Sequence, residues 1–199
     1  MKPNPFCYLF ALLFFTQISF AQITVDDPEI KKMITEVKAE SLENTVKKLV
    51  SFGTRHTLSD TKSKTRGIGA AQQWVKSEFD KYALESNGRL SSKIDYFTIK
   101  ADGRRIAVDS QLGNVMGTLK GTDSSDDRVL IISGHLDSRV SDVMDAKSDA
   151  PGANDDGSGV AAMMELAKIM SKRSFPYTII FVAVTGEEQG LYGARHLAE

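Results

Sequence analysis

Cysteine is almost absent from this sequence: Cys7 is the only one in 199 residues. It lies inside an apolar run rather than at its end, unlike a lipid-attachment cysteine. From residue 22 onward there is no cysteine, so disulfide-stapled scaffolds and thiolate chemistry are excluded there. Any metal in that region must be held by His and carboxylates. An excess of charge of one sign is also missing. The 25 Lys+Arg and 26 Asp+Glu leave a net charge of −1, with no basic block and no acidic tail. Electrostatics therefore gives no reason to expect nucleic acid or an anionic membrane as a partner. No internal repeat or low-complexity segment interrupts the chain, and 41% hydrophobic with 26% charged residues is the composition of one ordinary globular domain.

An apolar run of about ten residues, 6–15, follows Lys2 at the N-terminus. It is too short to span a bilayer, and it fades through Thr16, Gln17 and Ser19 to Phe20-Ala21. Ser19-x-Ala21 places small residues where signal peptidase requires them. Residues 1–21 therefore read as a secretory signal cleaved before Gln22, with an N-terminal membrane anchor as the alternative. Cleavage removes Lys2 and takes the net charge from −1 to −2. Export without disulfides points to a secreted or periplasmic enzyme with no stable membrane association once the signal is gone.

Residues 28–52 carry apolar side chains at helical spacing (Ile30, Met33, Ile34, Val37, then Leu42, Val46, Leu49, Val50), which predicts one or two amphipathic helices, the second capped by Ser41. The stretch ends at Gly53, followed by Arg55 and His56, which read as structural residues of a loop. A further helix spans about 67–82, with Ile68, Ala71, Trp74, Val75, Phe79 and Tyr82 as its core stripe. From Lys93 the period changes to two. Asp102-Gly103 reads as a hairpin turn into a strand over 105–108, and 112–119 is another strand. Residues 128–133 and 177–184 are continuous β-branched and aromatic runs of the kind found in strands buried on both faces. Between them, residues 160–170 read as a helix, giving a β-α-β unit and a parallel strand pair.

Acidic clusters fall at the ends of these elements. His135-Leu136-Asp137 follows one core strand, Glu187-Glu188 follows the other, and Asp155-Asp156 precedes the intervening helix, so all three lie at the edge where open α/β sheets form their sites. His135 supplies a neutral nitrogen ligand, and Asp137 can accept its other N–H and fix the ring. Asp155 has two oxygens and can bridge two metals. If the glutamates are extended, they face opposite sides and need different partners. One can hold a metal while the other takes a proton from water.

The pieces Gly134-His135-Leu136-Asp137-Ser138, Pro151-Gly152-Ala153-Asn154-Asp155-Asp156-Gly157-Ser158-Gly159 and Thr185-Gly186-Glu187-Glu188-Gln189-Gly190-Leu191-Tyr192-Gly193 resemble the motifs of the M28 family of zinc-dependent aminopeptidases. The resemblance covers residues 112–198 well and the preceding helices loosely. It implies an α/β fold in which a mixed, largely parallel central sheet is flanked by helices, carrying a pair of zinc ions, with residues 22–199 as the metallopeptidase domain. On that resemblance His135 ligates one zinc, Asp155 bridges both, Glu188 ligates the second and Glu187 is the general base. Asp137 is then the partner of His135, and the Asp155–Asp156 peptide bond is cis. The implied reaction is removal of N-terminal residues from peptide substrates; a glutaminyl cyclase-like or carboxypeptidase-like zinc enzyme, or a non-catalytic binding module, is the alternative. The family's two further ligands, an aspartate and a histidine, lie beyond the position of Glu199, and His196 is too near Glu188 to be one of them. The sequence is thus expected to be incomplete at the C-terminus and inactive alone. It gives no indication of oligomeric state.

Overall fold

A computed structural model describes residues 27–199. The expected signal segment, residues 1–21 with Cys7, lies outside the described residues. The element order is α1 (Pro28–Glu36), α2 (Ala39–Val50), α3 (Gly67–Leu84), β1 (Leu90–Ile99), β2 (Ser110–Leu119), β3 (Val129–His135), α4 (Gly157–Met170), β4 (Thr178–Val184), α5 (Glu187–Gly190) and α6 (Tyr192–Ala198). Asp27 caps α1 by accepting from the Glu29 and Ile30 amides, with Pro28 pre-set for the first turn. Ser41 does not cap α2, which starts at Ala39. Its hydroxyl instead donates to the buried Glu165 carboxylate on α4, 2.6 Å away.

The strands form a four-stranded sheet in the order β1-β2-β4-β3. The expected parallel pair is present: β3 and β4 run side by side through the α4 crossover, with His135 opposite Val184. The rest of the sheet is not largely parallel. β1–β2 and β2–β4 are both antiparallel, because only the β3-α4-β4 unit has a crossover long enough to return a strand in the same direction.

The main core lies between the sheet and α2, α3 and α4. Leu49, Val75, Phe79, Val160, Met163 and Met164 meet Val115, Leu119, Ile179 and Phe181, all buried. A second, smaller cluster forms on the opposite face of β4, where Val182 and Val184 pack with Met116 and the half-buried Leu197 of α6.

Two strand expectations are corrected. Residues 105–108 are loop. The Asp102 carboxylate accepts from the Arg104, Arg105 and Ile106 amides at 2.8 Å each, so these groups are satisfied without a strand partner. Those bonds hold the Asp102 carboxyl down at about 2. Ile106 is buried against Ile99 and Leu112, which ties the loop to the sheet. The run at 128–133 does form β3, but as the margin of the sheet among the described residues. Val129, Leu130 and Ile131 are 54%, 44% and 49% exposed.

Candidate active site

β3 and β4 deliver their C-terminal ends to one rim. Gly134 lets α4 come close there: a Cβ at this position would lie 2.8 Å from the Val160 nitrogen and 2.9 Å from the Gly159 carbonyl carbon. Gly186, at φ +86°, turns the chain after β4 in a conformation L-residues rarely adopt, so Glu187 and Glu188 open α5 instead of continuing an extended strand. The two carboxylates still face different partners. Glu187 Oε2 lies 3.8 Å from His135 Nε2, while Glu188 Oε2 accepts from Arg139 Nε at 2.8 Å. The separation of roles expected of an extended pair is thus produced by the rotation of about 100° per residue in a helical turn.

Asp155 Oδ1 is 2.9 Å from His135 Nε2, and its side chain is 79% exposed. The Asp155–Asp156 bond is cis. Asp156 works inward: Oδ1 caps α4 at the Gly159 amide, 2.9 Å, and Oδ2 accepts from the His135 amide, 3.0 Å. It therefore fastens the end of β3 to the start of α4 and sets His135 beside Asp155. Asp137 is fully buried. Its carboxylate accepts from Thr57 Oγ1 at 2.7 Å and from the Glu187 and Glu188 amides at 3.2 and 3.1 Å. His135 Nδ1 is closer to the Asp137 carbonyl, 3.1 Å, than to its carboxylate, 3.7 Å. The expected Asp137–His135 pairing thus runs through the backbone oxygen.

Burial works against a charged His135, but the neighbouring carboxylates of Asp137 and Glu187 more than offset it and raise the imidazole to about 9. Among the described residues, no three His, Cys, Asp or Glu side chains are arranged as a metal's ligands would be, and Glu188 is turned onto Arg139. The donor types nevertheless suit zinc: an imidazole with open carboxylates beside it and no thiol. The 2.9 Å between His135 Nε2 and Asp155 Oδ1 is a few tenths of an ångström under the roughly 3.3 Å that two ligands at tetrahedral zinc distances subtend. A small opening would admit the ion.

Three residues that hold this rim together were not legible as such. Arg55, 1% exposed, donates to the carbonyls of Leu136, Leu49, Pro151 and Gly152 at 2.8–3.2 Å. It thereby anchors the loop leading to Asp155. Burial lowers its guanidinium to about 10 against the opposing pull of Asp137 and Asp156. Arg139 and Arg105 both reach Glu188, the first at its carboxylate and the second at its carbonyl, 2.8 Å each. A charged residue directly after His-x-Asp-Ser is a usable signal for Arg139, whereas nothing in the sequence distinguishes Arg55 and Arg105 from solvated arginines. His56 is structural, as read: its Nδ1 accepts from the Leu58 amide at 3.0 Å and Nε2 lies 3.0 Å from the Val143 carbonyl. His196 lies apart from this cluster, stacked on Phe97 and facing Asp95.

This sheet, with its helices and its site at the strand ends, is the fold of the zinc peptidases and their structural relatives. The Legionella pneumophila LapA aminopeptidase superposes with a TM-score of 0.63 at 24% identity, over 85% of this chain and 40% of that one. The Fimbriiglobus ruber glutaminyl cyclase superposes with a TM-score of 0.60 at 20% identity, over 80% and 53%. Residues 114–199 match the model of peptidase family M28. A probable zinc metalloprotease of Leptosphaeria maculans is 50% identical over 172 residues, which is 86% of this chain and 39% of the relative. One of Pyricularia oryzae is 47% identical over 173 residues, 87% and 34%. The chain thus spans about two fifths or less of the length of these curated relatives.

Proposed function

We propose that the chain carries part of the catalytic site of a secreted zinc-dependent exopeptidase, an aminopeptidase that hydrolyses N-terminal peptide bonds. His135 and Asp155 would hold one zinc, Asp155 and Glu188 a second, and Glu187 is the general base. The reading rests above all on the approach of Asp155 and Glu187 to His135 Nε2, within 2.9 and 3.8 Å, from three separate segments. The relatives' names as probable zinc metalloproteases and the description of LapA as an aminopeptidase support it.

Zinc at such a site supplies a Lewis acid that polarises a carbonyl oxygen and makes water more acidic. The protein's own contributions can be read from the geometry. Glu187 is partly open to solvent and, among the described residues, has no closer ion-pair partner than His135 at 3.8 Å, so its carboxylate is free to take a proton from water and pass it to a leaving amine. Asp155 presents an exposed carboxylate, while Asp156 on the next bond holds the backbone still. Glu188 would hold the cation in place of Arg139, which its carboxylate meets at 2.8 Å. The test is zinc content and leucine-anilide hydrolysis of the full-length gene product, wild type against Glu187→Gln. The variant is expected to keep its zinc and lose about 10²–10⁴-fold in turnover, the worth of a general base. Absence of zinc from the wild type would sink the proposal, and release of ammonia from N-terminal glutamine in place of anilide cleavage would transfer it to the cyclases.

A further inference from the structure

A fully buried carboxylate has to be surrounded by donors, and those around Asp137 are unevenly placed. Neither carboxylate oxygen makes its nearest contact with His135. Oδ2 receives the Thr57 hydroxyl at 2.7 Å and the Glu188 amide at 3.1 Å, and Oδ1 receives the Glu187 amide at 3.2 Å. The imidazole Nδ1 stands 3.7 Å off. The side chain of Asp137 is therefore built mainly to hold the backbone of the glutamate pair.

Thr57 makes the shortest of these bonds, and it is itself 2% exposed. Its segment is stitched to the stretch after β3: the Arg55 amide donates to Ser138 Oγ at 3.2 Å, and the Ser138 amide donates to the Arg55 carbonyl at 3.3 Å. A hydroxyl fixed in this way sets the rotation of the carboxylate, which in turn sets where the two amides, and with them the Glu187 and Glu188 side chains, begin. We propose that Thr57 is a positioning residue for Glu187 and Glu188, acting through the buried carboxylate of Asp137. Its effect on catalysis rests on the peptidase reading; its effect on the backbone does not.

The test separates the two. In Thr57→Val the amides of residues 187 and 188 are expected to exchange their hydrogens about ten-fold faster, with the core amides of β4 unchanged, and Thr57→Ser is expected to restore the wild-type rate. In the full-length gene product kcat should fall roughly ten-fold with KM within about two-fold, again restored by serine, because a misplaced base weakens the transition state and not substrate binding. Should the valine variant fail to fold, Thr57→Cys, whose thiol is only a weak donor, replaces it in both measurements. Unchanged exchange at 187 and 188, or a loss that serine does not repair, overturns the proposal. If exchange responds as expected but the wild type neither binds zinc nor cleaves peptides, the positioning role stands and the peptidase reading alone is lost.

Discussion

His135 is where proton and metal would compete. Its imidazole is raised to about 9, so the charged form is favoured in the folded chain. The stability this contributes is fully present below its ordinary value near 6.5 and is lost as pH rises through about 9. A cation on the same nitrogen has the opposite dependence, because it must displace the proton. Apparent zinc affinity should therefore climb by up to about ten-fold per pH unit from 7 towards 9 and then level, if one proton is exchanged. Competition titration with a chelator at stepped pH checks this, and a profile flat from pH 6 upward would remove His135 from the ligand set. At this scale the sequence was informative about the acids and the imidazole but not about Arg55. A guanidinium with four carbonyl partners looks, in one dimension, like any loop arginine. Its partners lie 81, 96 and 97 residues away in three cases.

Elements were legible where periodicity and composition agreed. α3 and β4 emerge close to their expected bounds, since the stripe of Ile68, Val75 and Phe79 has helical spacing and the run at 177–184 is β-branched and aromatic. The segment at 105–108 departs from the expected strand because the Asp102 carboxylate satisfies three amides that a strand partner would otherwise have to meet. β3 forms where its apolar run lies but stands half-exposed, because an apolar run does not reveal how many neighbours cover it. The join between β3 and α4 depends on Gly134. Gly134→Ala would drive a methyl to within 3 Å of the Gly159–Val160 backbone, and backbone gives way less readily than a side-chain tip. The expected cost is about 1–3 kcal/mol of stability, read by urea denaturation. The same change should loosen the approach of Asp155 to His135, since α4 begins immediately after the Asp155–Asp156 bond.

For the whole molecule, the sheet among the described residues has one well-covered face and, at β3, an apolar edge. α2, α3 and α4 bury one face around Phe79 and Phe181. Along β3, three consecutive apolar residues stand half-exposed. Apolar strand edges template association with other chains, and natural proteins blunt them with charge. Leu130→Lys should lower the concentration-dependent association of the 199-residue chain, measured by light scattering at several concentrations. Equal scattering from variant and wild type would show that this edge is not the contact.

The bonds converging on Asp137 also constrain biosynthesis. They link positions 80, 50 and 51 residues apart, and the last donors are made long after the first. A nascent chain that has emerged from the ribosome only as far as β4 holds that carboxylate with a single hydroxyl against it and cannot bury it at low cost. The rim thus cannot set until the glutamate pair has been made, and translation must pass residue 188 before any of its chemistry can begin.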